Sequence, residues 1–156
     1  MDTRMELAQF SRIAEGVSTA LRAISKAVAD SGLEPGLIEL IKIRASQWNG
    51  CAFCTQFHLN VARKHNVPDT KLDLVAVWRD AGIFSTREKI ALEWTEALTA
   101  ITPDGISDEL YADTIQEFGV AELAFLTSAI ANINAWNRIA TAYQFTPPIP
   151  QDHAVE

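Results

Sequence analysis

The chain holds only two cysteines, Cys51 and Cys54, in the stretch NGCAFCTQFHLN, with His58 four residues beyond the second. In a helix that opens at Cys51, these three side chains share a face, each about one turn from the next. Such a pair can close into a disulfide, and the imidazole stands where it can take a proton from Cys54. The thiolate is the nucleophile, and an ordinary thiol with a pKa near 8.5 is only about 3% ionised at neutral pH. Two features lower that pKa here: the partial positive charge of a helix N-terminus and a neighbouring imidazole. A drop of about two units leaves most of the thiol anionic at pH 7. The helix terminus favours Cys51, whereas His58 lies one turn from Cys54 and two from Cys51. The spacing fits a reactive dithiol.

The elements that position these residues read as helices throughout. Phe10, Ile13, Val17, Leu21, Ile24 and Val28 form one apolar stripe on a long first helix, which SGLEPG ends. Leu37–Trp48 forms a second helix, stopped by Asn49 and Gly50, and Cys51–His65 a third with Phe53, Phe57 and Val61 on one side. Leu72, Val75 and Trp78 carry a fourth, ending at Gly82. Ser85 and Glu88 form a capping box for a fifth through Ile90, Trp94 and Leu98. A sixth spans Asp108–Phe118, closed by Gly119. A seventh, the most apolar, spans Ala121–Tyr143 before PPIP. No strand alternation or hairpin signal appears. The expected fold is all-α, a single domain of about seven helices over residues 1–145, followed by a tail over 146–156 that is either loose or a strap onto a neighbouring subunit.

Composition bounds the function. The 156 residues suit one domain with an ample core, and 48% apolar with 21% charged residues is a globular balance. A net charge of −7 argues against nucleic acid and anionic membranes as partners. Charges at Asp2, Arg4, Glu6, Arg12 and Glu15 leave no place for a signal peptide, so the expected address is the cytoplasm. A thiol pair there is reduced unless it works as a redox element.

Glu39 sits among Leu37, Ile38, Leu40 and Ile41. By itself such a carboxylate faces solvent more often than it is buried for a purpose. Together, however, Glu39, Cys51, Cys54 and His58 match the pattern Glu-x11-Cys-x2-Cys-x3-His. With RASQWNGCAFCTQFH around it and NAWNRIA at Asn134–Ala140, the chain resembles the alkylhydroperoxidase D-like proteins of the carboxymuconolactone decarboxylase superfamily over about residues 37–140. The resemblance implies a thiol-dependent peroxidase or disulfide reductase. In it Cys54 attacks the peroxide and Cys51 resolves the sulfenic acid to a disulfide, while His58 and Glu39 relay the proton. It further implies a hydroperoxide substrate, a dithiol reductant such as a lipoyl domain or thioredoxin-like protein, no cofactor or metal, and a trimer or hexamer.

Other readings compete. The four residues are also a zinc ligand set by type, although a helical domain with this core needs no metal staple. Both cysteines could be buried apolar residues. A lyase like the decarboxylases that name the superfamily is a further alternative, against which the cysteine pair counts. His65 reads as a helix cap or surface residue, and His153 has no role. Trp78, Trp94 and Trp136 read as core, and Trp48 as pocket wall or core. Asn134, Asn137 and Arg138, polar residues in the most apolar helix, read as partners for buried backbone or for a subunit contact ahead of any catalytic part.

Overall fold

The computed structural model describes residues 2–151, and among these there is no strand. Eight α-helices follow in order: α1 Leu7–Ile13, α2 Glu15–Ala29, α3 Pro35–Trp48, α4 Ala52–Lys64, α5 Asp69–Leu74, α6 Trp78–Ala81, α7 Thr86–Thr99 and α8 Asp108–Tyr143. The expected all-α architecture stands, and the differences in count are local. The long first helix is broken at Ala14, whose backbone (φ −111°, ψ 51°) is not helical. The fourth is split by a 3-10 turn at Val75–Val77, yet Leu72, Val75 and Trp78 are all buried as its periodicity required. The sixth and seventh are separated at Gly119 as expected, where the backbone (φ 69°, ψ 171°) is not helical and takes a conformation that glycine adopts without a Cβ penalty; the two halves are labelled together as α8. The capping box is present: Ser85 Oγ accepts from the Glu88 amide, and Glu88 Oε2 accepts from the Ser85 amide.

α3 is the centre of the molecule. Leu37, Ile38 and Ile41 pack with Trp94, Leu126 and Ile130 of α7 and α8. Leu40 and Ile43 turn to a second cluster with Leu72, Val75, Trp78 and Leu92. Ala45 reaches a third with Phe10, Cys51, Cys54, Ile133 and Phe145. A helix apolar all round is buried all round. Glu39 therefore has no solvent face to turn to, and the outward reading of this residue is overturned: it is 5% exposed.

α8 is central along one side, with Leu123, Leu126, Ile130 and Ile133 buried and Ala121, Ala124 and Phe125 facing out. By length and composition it could cross a membrane, but its apolar side packs on α2, α3 and α7. The first stripe differs most from expectation. Phe10 and Val28 are buried, while Ile13, Val17 and Ile24 are exposed and Ser18 is turned inward. The reason lies on α8, where buried Asn132 donates to Leu21 O (3.1 Å) and Ser25 Oγ (2.8 Å). A buried amide needs polar partners, and α2 turns them toward it.

The described part of the expected tail, residues 146–151, is tied to its own chain. Thr146 Oγ1 donates to Glu6 Oε1 at 2.6 Å, and Pro148 O accepts from Asn60 Nδ2 at 2.9 Å. Just before it, buried Phe145 meets Phe53 edge-on, with ring centres 5.4 Å apart. His153 lies outside the described residues.

Candidate active site

α3 and α4 meet through a turn of three residues, and that turn sets the site. Asn49 ends α3, and Gly50 takes a left-handed backbone (φ 67°). The Cys51 amide then donates back to Ser46 O at 2.9 Å. Cys51 becomes the N-cap of α4, its Sγ accepting from the Cys54 amide at 3.2 Å. Both cysteines are buried and free.

The two thiols are not equivalent. The Cys54 thiol and amide both donate to Cys51, and Thr141 and Asn137 add hydrogen bonds. Against the cost of burial, these pull the Cys51 thiol down to about 7. Cys54 is pushed up, because it gives its hydrogen bond to Cys51, is buried, and sits beside the charge that Cys51 takes on. Cys51 is thus the thiol that ionises first, and once it has done so the remaining proton is held on Cys54.

Access runs the other way. A cavity of about 470 Å³ is lined by Cys54, His58 and Glu39, with Phe53, Phe57 and Trp136 among its apolar walls, whereas Cys51 is not part of its lining. His58 Nδ1 and Glu39 Oε2 lie 2.6 Å apart, and Lys42 Nζ donates to the other Glu39 oxygen at 3.4 Å. Burial pushes the Glu39 carboxyl up, but His58 and then Lys42 outweigh it, so the carboxyl stays below its ordinary value of 4.5. With Nδ1 held by Glu39, His58 has Nε2 left as the nitrogen that can accept a proton. The four residues singled out in the sequence are thus brought to one place.

Trp48 neither walls the cavity nor joins the core. It is 47% exposed, with the Arg44 guanidinium 5.1 Å above its ring. Trp78 and Trp94 are buried as expected, while Trp136 is a cavity wall. His65 is exposed at the C-terminal cap of α4, as expected. Among the described residues no group of three or more His, Cys, Asp or Glu side chains is arranged to hold a metal ion.

Sequence reasoning gave Asn137 too little weight. This residue of α8 is 1% exposed, and its side chain hydrogen-bonds both sulfurs. It is itself fixed: its Nδ2 donates to Ser46 Oγ (3.0 Å), and its Oδ1 accepts from Asn49 Nδ2 (2.9 Å). Asn49 also donates to Asn134 Oδ1 at 2.9 Å, so the turn that carries Cys51 is clamped onto α8 by two asparagines. The signal available was their type: amides inside the most apolar helix must find partners.

Comparison with known proteins places this geometry. The sequence profile of the Carboxymuconolactone decarboxylase family matches residues 15–97. An uncharacterized Bacillus subtilis protein, YdfG, is 39% identical over 104 residues, 67% of this chain and 71% of its own length. An uncharacterized Escherichia coli protein, YnjA, is 34% identical over 72% of this chain and 61% of its own. Among solved structures, an Agrobacterium tumefaciens protein of unknown function, assigned provisionally to antioxidant defence as AhpD, superposes with a TM-score of 0.88. It has 33% identity and is covered over 96% of this chain and all of its own. A peroxidase-related protein with an alkylhydroperoxidase AhpD core from Ralstonia eutropha JMP134 shares the fold at a TM-score of 0.77 and 20% identity, over 89% of this chain and 74% of its own. With the family profile and the Agrobacterium structure in agreement, the chain is an AhpD-like member of the carboxymuconolactone decarboxylase family.

Proposed function

We propose that the protein is a thiol-dependent peroxidase or disulfide reductase in which Cys54 attacks, Cys51 resolves, and His58 with Glu39 moves the proton. The observation that carries this reading is that Cys54, His58 and Glu39 open on one cavity while the more acidic Cys51 lies hydrogen-bonded behind it. Cys54 gives up its proton either to Cys51 or to His58 Nε2, where Glu39 balances the imidazolium. The Cys54 thiolate attacks the outer peroxide oxygen. The O–O bond breaks, an S–O bond forms, and the alkoxide leaves as alcohol after taking a proton. The Cys51 thiolate then attacks the sulfenic sulfur, an S–S bond forms, and hydroxide departs and is protonated to water. An external dithiol returns both cysteines to thiols and leaves as a disulfide.

The split in acidity suits these roles. The resolving step needs an anion at Cys51, and the first step needs a base at Cys54. The same disulfide could be used in exchange with a protein dithiol, for which a lipoyl domain or thioredoxin-like protein would serve as reductant. Two free thiols fit a reducing, cytoplasmic setting. Self-association, as a trimer or hexamer, would cover exposed apolar residues such as Ile13, Val17 and Phe125. The domain is taken as residues 1–145 with the tail beyond.

The test is a thiol count by intact mass. Reduced protein meets a small excess of organic hydroperoxide and then an alkylating reagent, beside Cys51→Ser and Cys54→Ser. The expected result is loss of both thiols with a decrease of about 2 Da, the two hydrogens removed, and a trapped sulfenic acid in Cys51→Ser only. Sulfenic acid in Cys54→Ser only would exchange the roles. Two thiols that stay alkylatable would overturn the reading.

A further inference from the structure

Resting on that reading, we infer that the cavity selects hydroperoxides that carry a carboxylate, with Arg22 as the group that recognises it. The cavity joins an apolar body to a cationic rim. Phe53, Phe57, Ile133 and Trp136 supply walls for a hydrocarbon or aromatic substrate, and a volume of about 470 Å³ suits a small organic molecule rather than hydrogen peroxide alone.

Its charged lining consists of two cations, Arg22 and Lys42, against the single carboxylate of Glu39, with His58 beside them. Lys42 is committed to Glu39. Arg22 is not committed to any acid. Among the described residues its guanidinium has one polar contact, Nη2 donating to the neutral Ser11 Oγ at 3.4 Å. In a second pocket of this chain the lining cations do hold carboxylates: Lys71 holds Glu88, and Arg87 holds Glu34 and Glu122. A guanidinium left without one at the wall of the candidate site is a donor fork matched to a planar anion.

The placement of Arg22 is also built. Asn132 of α8 grips Leu21 O and Ser25 Oγ, which bracket Arg22 along α2, and Asn132 and Ser25 themselves line the cavity. The segment that carries the guanidinium is therefore fastened at the cavity wall. In a chain of net charge −7, most of the surface repels an anion, and a cavity lined by net positive charge concentrates one.

The chemistry at sulfur is unchanged: the hydroperoxide leaves as the corresponding carboxylate-bearing alcohol. Both aromatic and fatty acids supply such substrates, so matched pairs of each are compared. The para-carboxy derivative of cumene hydroperoxide and its methyl ester form one pair, and a linoleic acid hydroperoxide and its methyl ester the other. The rate of Cys54 oxidation is expected to favour the acid over its ester about fivefold, with the preference lost in Arg22→Gln and retained in Arg22→Lys. The pair with the larger preference tells which body the walls prefer.

A binding arm separates this inference from the peroxidase reading. The alcohol product of each pair, which cannot oxidise a thiol, is tested for protection of Cys54 against alkylation. Protection by the acid at about fivefold lower concentration than by the ester, lost in Arg22→Gln, supports the site even if no hydroperoxide is turned over. Equal protection by acid and ester, or a preference that survives in Arg22→Gln, overturns it even if both hydroperoxides are reduced.

Discussion

Among the described residues two carboxylates are buried, and they behave as opposites. Glu39 on α3 and Glu96 on α7 are 5% and 7% exposed, and both carboxyls are held below their ordinary value against the cost of burial. Glu96 accepts from Arg44 Nε (2.7 Å), Trp78 Nε1 (2.9 Å) and Arg79 Nη1. None of these donors gives up its proton at any pH a protein survives. Glu39 instead faces an imidazole, a group that can both take and give a proton, and its site opens to a cavity. Burial of a carboxylate does not mark a proton relay. What marks it is a partner that can titrate and a route for the proton to a reacting atom.

The widest separation between the two should come from removing Glu96. Glu96→Ala leaves the Arg44 charge, 13% exposed, without its carboxylate, and Trp78 without an acceptor. The expected cost is about 3 kcal/mol in urea unfolding, at the low end for a broken buried pair because Arg79 reaches solvent. The rate of thiol oxidation per folded molecule should stay within about twofold. Loss of that rate at unchanged stability would make Glu96 part of the chemistry and erase the contrast.

Glu39→Gln should show the reverse. The amide keeps an acceptor for His58 but cannot balance an imidazolium. Oxidation of Cys54 by hydroperoxide is then expected to slow about 100-fold, near 2.7 kcal/mol in the barrier. Stability should fall by only about 1 kcal/mol, from the partner lost to Lys42. A variant that unfolds readily yet oxidises at the wild-type rate would make Glu39 a structural residue.

Acid titration sharpens the same point. The folded Glu96 carboxyl titrates below 4.5, so its stabilisation is full above that value and is lost as pH falls through the folded pKa. Glu96→Gln should be about 1.5 kcal/mol less stable than wild type at pH 7. That difference should narrow towards pH 3, measured by unfolding at a series of pH values. A gap that widened on acidification would mean the carboxylate is not held by its donors.

Much of this was legible in the sequence where the deciding contacts are local. The Ser85–Glu88 box involves neighbours three residues apart and formed as read, and the helix expected to open at Cys51 opens one residue later with Cys51 as its N-cap. The Cys–His face of α4 follows from helical spacing alone. Glu39 needed its pattern with Cys51, Cys54 and His58, since hydrophobic neighbours do not tell a buried helix from an amphipathic one. Glu96 gave no signal, because its partners Arg44 and Trp78 come from other elements. The Ile13, Val17 and Ile24 stripe misled for a related reason. Periodicity locates an apolar face but does not say what it meets, and buried Asn132 drew the polar side of α2 inward. At Gly119 the sequence marked a break, and the backbone there leaves the helical region as the glycine allowed.

The smallest expected effect tests whether the sulfur pair depends on α8 in the way that Glu96 does not. Asn137 hydrogen-bonds both sulfurs and is pinned by Ser46 and Asn49, so it is a positioning residue whose donor favours the thiolate. In Asn137→Ala the first thiol ionisation, which lies at about 7 in the native protein, should rise by roughly half to one unit, about 1 kcal/mol. An acid whose folded pKa rises is less ionised at neutral pH. The pH profile of alkylation should therefore move to higher pH, with the rate at its alkaline plateau unchanged. Asn137→Asp should move it further, because a carboxylate beside the pair repels a second negative charge. In Glu96→Gln the midpoint should not move at all. A purely structural role for Asn137 predicts lower stability with the midpoint left at about 7 in every variant, and that outcome would detach the asparagine clamp from the chemistry.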